Sequence, residues 1–243
     1  MAPRSALKRQ VNRLPPERRI SDIMAAAKQV FAEKGYNDAL ITDIALRAGV
    51  VEGSIYRFFA NKRELLVKVV EHWFEELLQE DAEQFAAVRG SWNQIRFLVY
   101  NHLTSIRRDP ALSRLMFQEI RPAPDYRGSH LFDLNRAYTH RLVDVVKAGI
   151  ASGELRPDTS PSLVRDLVFG CIEHRTWTFL RGEGDYDPAD TAEAITNLVY
   201  RGVALDQPAS PIESVVARLE TATARLEAAA GIAPAKPNSP GSR

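Results

Sequence analysis

Cysteine and long apolar runs are almost absent from this sequence of 243 residues. Cys171 is the only cysteine, so the chain cannot form an intramolecular disulfide. No stretch reaches the roughly 18 apolar residues that a membrane-spanning helix needs, and residues 1–20 hold no apolar run of signal-peptide length. Because disulfide-rich secreted domains and membrane-spanning proteins are both disfavoured, we expect a cytoplasmic protein without a membrane partner.

Catalytic signatures are also missing. The sequence contains no G-x-S-x-G elbow, H-E-x-x-H pair, phosphate-binding loop or dinucleotide fingerprint. Its five histidines are scattered without the spacing of metal ligands. Cys171 and His174 lie one helical turn apart and could supply two ligands, but no clear third or fourth ligand is visible. We expect no enzymatic activity, no cofactor and no bound metal.

The net charge is only +1, but the charges are unevenly distributed. Residues 1–68 carry 13 Lys and Arg against 7 Asp and Glu, whereas the remainder carries 19 against 24. A basic segment joined to an acidic body indicates a polyanion-binding head. A solvated basic tail is the alternative, because the first 19 residues alone hold 6 basic side chains.

Hydrophobic residues recur at spacings of three and four along most of the chain, and no segment shows a convincing alternation of apolar and polar residues. The pattern predicts an all-α fold. We expect a disordered basic arm over residues 1–15, a small three-helix domain over 16–66 and a larger helical bundle over 67–207. The tail over 208–243 should hold one amphipathic helix at about 211–230, opened by a capping box and followed by disorder.

Capping residues place several helix ends. Gly35 should end the first helix and Gly153 a later one, because glycine adopts the left-handed conformation without steric penalty. Ser160 and Asp187, each followed by proline, should begin two further helices. Their side-chain oxygens can cap the helix, and proline suits the first helical position.

Residues 35–66 contain two short helical patterns joined by a sharp turn. The first, Thr42–Ala48, is followed by Gly49, where the chain can reverse direction. The second, over residues 53–59, can bury Ile55 and turn its polar side chains outward. Two short helices joined through a glycine turn and resting on a third apolar helix form a helix-turn-helix, whose second helix can enter the major groove of DNA.

This segment resembles the DNA-binding domain of the tetracycline-repressor (TetR) family of bacterial regulators over about residues 17–70. The shared motifs occur in the family's order and spacing. They are Gly35-Tyr36, Asp43-Ile44-Ala45, Ala48-Gly49-Val50, Gly53-Ser54-Ile55-Tyr56, Phe59 and Lys62-x-Glu64-Leu65. Two positions depart from the family pattern, because Leu40 and Val51 stand where helix-capping hydroxyl residues are usual.

The resemblance implies a homodimer in which each chain joins a helix-turn-helix head to a larger helical ligand-binding and dimerisation domain. It implies a repressor that binds a pseudo-palindromic double-stranded DNA operator and leaves it when a small-molecule effector binds. An activator with the same head is the alternative, because the head does not encode where its operator lies. A helical interaction protein without DNA binding is a more distant alternative. By position, Tyr56 and Lys62 would contact backbone phosphates, although Tyr56 could instead pack in the core.

The residues expected to read bases are Arg57, Ser54 and Glu52. Arginine can bridge O6 and N7 of guanine, and Glu52 could accept from cytosine or simply favour the N-terminus of its helix. Arg57 could also be a solvated surface charge. Arg47 and Thr42 should lie nearer the DNA backbone, and the basic arm could reach into a minor groove.

A ligand cavity should lie between the helices of residues 92–180, although its apolar candidates are also what any helical core requires. The candidate effector-pocket residues are Trp92, Tyr100, Phe117, His174, Arg175 and Trp177. Polar side chains on apolar helices are the better indicators, and His102 and Glu173 are added on that ground. A satisfied buried histidine or an ion pair at an interface is the alternative for these polar residues.

In the family, the last two core helices of each subunit form a four-helix interface. Here the resemblance assigns this role to residues 161–181 and 188–205. The apolar residues expected in the interface are Val164, Leu167, Val168, Cys171, Ile195, Leu198 and Val199.

Overall fold

The chain folds into packed helices, as its hydrophobic periodicity predicts. The computed structural model describes residues 15–80, 82–205, 219, 222 and 223. Within these residues no strand occurs, and Leu155 and Ala204 form an isolated antiparallel bridge. The all-α prediction is therefore confirmed. The basic arm up to residue 14 lies outside the described residues, as does all of the predicted tail helix except three positions.

The elements follow one another along the chain with short connections. They are α1 (Pro16–Asp38), α2 (Ile41–Arg47), α3 (Glu52–Ile55), α4 (Lys62–Glu80), α5 (Ala82–Ala87), α6 (Ser91–Arg108), α7 (Pro110–Leu115), a π-helical turn (Met116–Ile120), α8 (His130–Ser152), α9 (Pro161–Leu180) and α10 (Pro188–Val203).

Several predicted helix ends are confirmed. Gly153 adopts φ +77° at the C-terminus of α8. Gly35 adopts φ +74° and interrupts the helical geometry of α1, but α1 extends three residues further, to Asp38. The Ser160 hydroxyl accepts a hydrogen bond from a backbone amide in the first turn of α9, and the Asp187 carboxylate accepts two from the first turn of α10. These caps satisfy amides that have no helical partner, which fixes where α9 and α10 begin.

The first three helices and the start of α4 form the head around a small apolar core. Phe31 from α1, Ile44 from α2, Ile55 from α3 and Leu65 from α4 are fully buried in it. Because α2 has 7 residues and α3 has 4, neither helix would be stable alone. Packing of α2 against α1 and of α3 against α2, with Ile44 and Ile55 in the shared core, holds both in place.

α4 connects the head to the body. It packs against α1 in the head and against α8 in the body. One buried cluster continues from the head through α4 and α7 to the π-helical turn and the start of α8. A second cluster fills the space among α6, α8, α9 and α10. The core of the head therefore extends without a break into the adjoining part of the body.

The contacts divide the chain into two compact units, Met1–Ala204 and Leu205–Arg243. The helices named above all lie in the first unit. In the second unit the Thr223 hydroxyl donates to the Leu219 carbonyl at 2.9 Å. None of the described helices combines the length and hydropathy that a membrane span requires.

Candidate nucleic-acid interface and ligand cavity

The connection between α2 and α3 is a tight turn at Gly49. Gly49 adopts φ +65°, a conformation that side chains disfavour, and the Val50 amide donates to the Ala45 carbonyl at 3.0 Å. The chain thereby reverses at the end of α2 and begins α3 at Glu52. The predicted helix-turn-helix is confirmed, with α3 as its second helix.

This second helix is shorter than predicted. The sequence predicts a helix over residues 53–59, but α3 covers Glu52–Ile55 and residues 56–58 form a turn. The amides of Phe58 and Phe59 both donate to the Ile55 carbonyl, at 2.9 and 3.0 Å, which closes the helix. Burial of the Phe59 ring in the head core draws the chain inward, and Val51 supplies no side-chain cap to stabilise the first turn.

α3 and the turn after it present a polar surface. Glu52 and Arg57 are exposed, Ser54 is partly exposed, and 49 % of the Tyr56 surface is accessible. Tyr56 therefore stands outside the core. Among the side chains that the structure describes, Arg57 has no carboxylate partner, and its guanidinium carbon lies 6.0 Å from the centroid of the Phe58 ring. A polyanion could therefore contact the Arg57 guanidinium, which has no carboxylate partner among the described residues, the Ser54 hydroxyl and the Tyr56 phenol.

The two candidates on α2 have different surroundings. Thr42 is exposed. Arg47 forms a bidentate ion pair with Glu33 of α1, and both N–O distances are 2.7 Å. This hydrogen-bonded guanidinium lowers the pKa of the Glu33 carboxyl. Arg47 therefore fastens α2 to α1, and its contact with DNA stays a prediction.

Lys62 bonds the start of α4 to the end of α1. Its Nζ donates to the backbone carbonyls of Tyr36, Asn37 and Ala39 at 2.8, 3.2 and 2.9 Å, and it lies 4.6 Å from the centroid of the Tyr36 ring. All the donors of the ammonium group are thus used inside the head. Lys62 therefore satisfies carbonyls at the end of α1 that have no helical partner, and its contact with a DNA phosphate stays a prediction.

Arg63, the next residue, is bonded to the body instead. Its Nη1 donates to the Glu119 carbonyl at 2.8 Å, and its Nη2 and Nε donate to the Asp125 carboxylate at 2.8 and 3.3 Å. The guanidinium lowers the pKa of the Asp125 carboxyl. Glu119 lies in the π-helical turn, and Asp125 lies in the loop before α8. The first turn of α4 is therefore bonded to the head by Lys62 and to the body by Arg63. No motif in the sequence around residue 63 predicts the bond to the body.

A half-open cavity of about 310 Å³ lies among α4, α6, the π-helical turn, α8 and α9. This volume is at the lower end of the range for small-molecule sites. Most of the wall is apolar. The apolar lining residues are Trp73, Phe74, Ile106, Met116, Phe117 and Phe169. Trp73 and Phe74 come from α4, so the helix that carries the head also forms part of the cavity wall.

One side of the cavity carries uncharged polar groups. His102 comes from α6, while Asn135 and Thr139 lie one turn apart on α8. The Tyr138 hydroxyl and His102 Nδ1 are hydrogen-bonded at 3.3 Å. Burial lowers the pKa of His102 to about 4, with a further contribution from the Arg121 charge. The imidazole is therefore neutral at physiological pH.

Ion pairs stand at the open side of the cavity. Arg121 Nη1 donates to Glu173 Oε2 at 2.6 Å, and Arg165 Nη2 lies 2.8 Å from Asp166 Oδ1. Arg121 follows the π-helical turn, and its guanidinium carbon is 5.6 Å from the centroid of the Phe117 ring. An anionic group of a ligand could bind these cations only in competition with their carboxylate partners.

The predicted effector residues are only partly brought together. Phe117 lines the cavity, and Trp177 packs against it with ring centroids 6.1 Å apart. His102 and Glu173 also line the cavity. Four other predicted effector residues do not line this cavity, and their assignment is corrected. The Trp92 indole donates to Asn197 instead. The remaining three are exposed; they are Tyr100, His174 and Arg175. Sequence reasoning missed Trp73 and Phe74 on α4, which the apolar periodicity assigns only to a core. It also missed Asn135 and Thr139 on α8, which no motif marks.

α9 and α10 share an exposed apolar groove. Leu163, Leu167 and Leu198 line it and expose 57, 56 and 76 % of their surfaces. Five of the seven predicted interface residues line this groove. They are Val164, Leu167, Cys171, Leu198 and Val199. Leu167, Cys171 and Leu198 are exposed, Val199 is half-buried and Val164 is buried. The other two predictions, Val168 and Ile195, are corrected, because their side chains are buried in the core of their own chain and do not line the groove.

Comparison with family models matches both parts of this architecture. The model described as "Bacterial regulatory proteins, tetR family" matches residues 23–69, which contain the helix-turn-helix. The model described as "Tetracyclin repressor-like, C-terminal domain" matches residues 88–203, which contain most of the cavity wall. The chain belongs to the TetR family. It is a DNA-binding transcriptional regulator with a helix-turn-helix head and a helical ligand-binding domain. A third model, "CAP N-terminal conserved motif", matches residues 213–243, which fall almost entirely outside the described residues.

Curated relatives of this TetR-family chain are similar over most of its length. The "Fatty acid metabolism regulator protein" of Bacillus subtilis is 26 % identical over 184 residues, which are 74 % of this chain and 93 % of the relative. The "HTH-type transcriptional repressor KstR2" of Mycobacterium tuberculosis is 28 % identical over 164 residues, which are 67 % of this chain and 80 % of the relative.

Solved structures share the fold. A TetR/AcrR-family regulator of Thermobifida fusca is 27 % identical with a TM-score of 0.60, and the match covers 76 % of this chain and 98 % of that one. FadR of Bacillus subtilis, solved in complex with stearoyl-CoA, is 24 % identical with a TM-score of 0.68, and the match covers 75 % of this chain and 98 % of that one.

The neutral His102 should make the stability of this TetR-family regulator depend on pH. The pKa of His102 is about 4 in the folded chain and about 6.5 for a solvated histidine, so the unfolded chain takes up the proton more readily. The stability contributed by this group is therefore present above about pH 6.5 and is lost as the pH falls towards 4. We expect a loss of about 2 kcal/mol between pH 7 and pH 5.

Urea unfolding of the wild type and of His102→Asn at both pH values measures this contribution. The variant should lack the His102 part of the pH dependence. His140→Asn, which replaces an exposed histidine on α8, should retain it. An identical pH dependence in His102→Asn and the wild type would contradict the assignment.

Proposed function

We propose that this chain is a homodimeric repressor whose operator affinity falls when an amphipathic small molecule enters the α4–α9 cavity. The observation that carries the proposal is the first turn of α4. Lys62 bonds this turn to the head, and Arg63 bonds it to the π-helical turn that supplies part of the cavity wall. A ligand that displaces the wall therefore acts on the head through existing hydrogen bonds, provided that it binds the two conformations with different affinity.

The groove on α9 and α10 supports the dimer. Its three leucines are each more than half exposed, and a second copy of the chain would remove this apolar area from water. A two-fold dimer would place two copies of α3 against half-sites about one helical turn, or about 34 Å, apart. A pseudo-palindromic operator follows from that symmetry.

For the effector we propose the chemical class of acyl thioesters of coenzyme A. FadR of Bacillus subtilis is solved with stearoyl-CoA, and the fatty acid metabolism regulator of that organism is similar over most of the chain. The apolar wall suits an acyl chain. Arg121 and Arg165 at the open side suit phosphate groups that displace their carboxylate partners, because the planar guanidinium can donate two parallel hydrogen bonds to two oxygens of a phosphate.

Stearoyl-CoA is the first probe of this effector class. Operator DNA is obtained by selecting duplexes from a random library with the full chain, and its affinity is measured by fluorescence anisotropy with and without the thioester. We expect the thioester to lower operator affinity by about 5- to 150-fold, and free coenzyme A to leave it unchanged. A thioester that binds without changing operator affinity would refute the coupling, and one that does not bind would refute the effector class.

Arg57→Ala should relax the sequence preference of the head. The Arg57 guanidinium stands exposed beside α3 with no carboxylate partner in the described part of the chain, so it is available to a guanine edge. We expect a loss of about 1–3 kcal/mol of discrimination at one base pair of each half-site. Selection from random duplexes with the wild type and the variant measures this loss. Arg136→Ala, at an exposed position of α8, is the matched control. An unchanged preference in Arg57→Ala would mean that bases are read elsewhere on the head.

A further inference from the structure

We propose that the cavity selects effectors that carry an uncharged oxygen, as a hydroxyl or a ketone, on their apolar part. A strip of neutral hydrogen-bonding side chains, formed by His102, Asn135 and Thr139, lines the cavity together with six large apolar side chains, whereas the charged lining residues are held in ion pairs at the open side. This inference rests on the proposed function for the place where the effector binds. Beyond the proposed function, it specifies a functional group, an uncharged oxygen, on the apolar part of the effector.

His102 is the best-defined member of the strip. The Tyr138 hydroxyl occupies Nδ1, which leaves Nε2 as the ring nitrogen for a ligand. No other side chain in the described ranges hydrogen-bonds to that nitrogen. The imidazole centroid lies 5.1 Å from the Phe169 ring, which packs edge-on, and 5.5 Å from the Tyr138 ring. These two rings restrict the orientation of the imidazole.

A ligand hydroxyl suits either tautomer of this imidazole. If Tyr138 donates to Nδ1, then Nε2 carries the proton of His102 and donates to the ligand oxygen. If Nδ1 carries the proton, then Nε2 accepts from the ligand hydroxyl. A ketone suits the first tautomer only. A saturated methylene chain suits neither, because it would bury a ring nitrogen without a partner.

Asn135 and Thr139 extend the strip along α8. The Asn135 amide nitrogen donates to the Tyr126 hydroxyl at 2.8 Å, which orients the amide and leaves its oxygen as an acceptor. The Thr139 hydroxyl donates to the Asn135 backbone carbonyl at 3.0 Å, so its oxygen keeps acceptor capacity. Asn135 and Thr139 thus add acceptors for a ligand hydroxyl, whereas a ketone accepts from His102 Nε2.

The charged groups of the cavity do not favour a carboxylate on the apolar part of the ligand. Arg121 is bonded to Glu173 and Arg165 to Asp166, at the open side. A carboxylate placed along the strip would lose its hydration and would meet no unpaired cation there. A hydroxyl or a ketone loses much less hydration and finds hydrogen-bond partners in the strip. The uncharged oxygen is therefore the chemistry that this wall fits.

The test compares ligands that differ by one oxygen. The full-length wild type is titrated with octadecanoyl-CoA, which is stearoyl-CoA, and with derivatives that carry a hydroxy or oxo group at different carbon atoms of the acyl chain. Binding is followed by tryptophan fluorescence. A second pair, decalin and a decalone, carries no coenzyme A. We expect at least one oxygenated thioester to bind about tenfold more tightly than octadecanoyl-CoA, and the decalone to bind more tightly than decalin. His102→Phe should bring these ratios close to one.

Two further variants distinguish a loss of oxygen selectivity from a folding defect in His102→Phe. Thr139→Val is nearly isosteric and should reduce the preference for hydroxy derivatives, which can donate to the Thr139 oxygen. His140→Phe replaces an exposed neighbour and should keep the wild-type ratios. The inference is overturned if no oxygenated probe binds the wild type better than its hydrocarbon counterpart, or if both His102→Phe and Thr139→Val keep the wild-type preference. If the thioesters fail to bind while the decalone outperforms decalin, the proposed effector class is wrong and the oxygen selectivity stands.

Discussion

Replacing both Leu167 and Leu198 with glutamate is expected to give a monomer whose operator affinity is about 100-fold or more below that of the wild type. The two side chains expose 56 and 76 % of their surfaces in the groove of α9 and α10. In a two-fold contact, the new carboxylates would be desolvated close to one another. Each monomer would keep a folded head, because the head core lies in α1 to α4, but the binding energies of two heads would no longer combine on one operator.

Analytical ultracentrifugation measures the oligomeric state of this double variant, and anisotropy with full operators and half-sites measures its affinity. Ala148→Glu places the same charge on an exposed position of α8. This control should remain dimeric with wild-type affinity. If the double variant is still a dimer, the subunits meet through another surface. If it is a monomer with wild-type operator affinity, a single head suffices for binding.

Arg63→Gln is expected to leave effector and operator binding in place while removing most of the coupling between them. Arg63 bonds the first turn of α4 to the Glu119 carbonyl and the Asp125 carboxylate. Glutamine is too short to make both contacts and carries no charge. Without the link, displacement of the cavity wall would no longer be transmitted to the head through this bond. The coupling free energy between the two sites is typically about 1–3 kcal/mol. In Arg63→Gln it should fall to a small fraction of the value measured for the wild type.

Coupling is measured in both directions, as operator affinity with and without the thioester and as thioester affinity with and without operator, because the two ratios must agree. Arg107→Gln is a matched control. Arg107 also bonds an aspartate, Asp185, and a backbone carbonyl, that of Tyr186, but it joins α6 to the start of α10. Full coupling in Arg63→Gln, or an equal loss in Arg107→Gln, would exclude Arg63 as the specific link.

The helix boundaries could be predicted because each is encoded by a few adjacent residues. Ser160 and Asp187 cap helices that begin with proline, and Gly153 ends α8 in the left-handed conformation. The helix-turn-helix was predictable for the same reason, since its motifs fall within one short segment. The length of α3 was not, because burial of Phe59 depends on the rest of the head core.

The cavity could not be predicted in detail because its wall combines side chains that are distant in sequence. α9 is apolar on more than one side, one facing the body and one facing the groove shared with α10. Periodicity therefore gives no sign that Phe169 and Glu173 line the cavity while His174 and Arg175 are exposed. The role of Lys62 was missed for a related reason, because a motif position does not show that three carbonyls converge on its ammonium group.

The π-helical turn over Met116–Ile120 has a consequence for how this family diversifies. A π turn accommodates one residue more than an α turn, whereas each residue of an α-helix advances the chain by about 100° around its axis. A relative that lacks the extra residue would present a neighbouring side chain where Phe117 stands here. An alignment with such a relative would need a gap of one position here, because otherwise ligand contacts would be transferred to the wrong residue. A single-codon insertion or deletion could thus change what such a regulator senses while its fold stays the same.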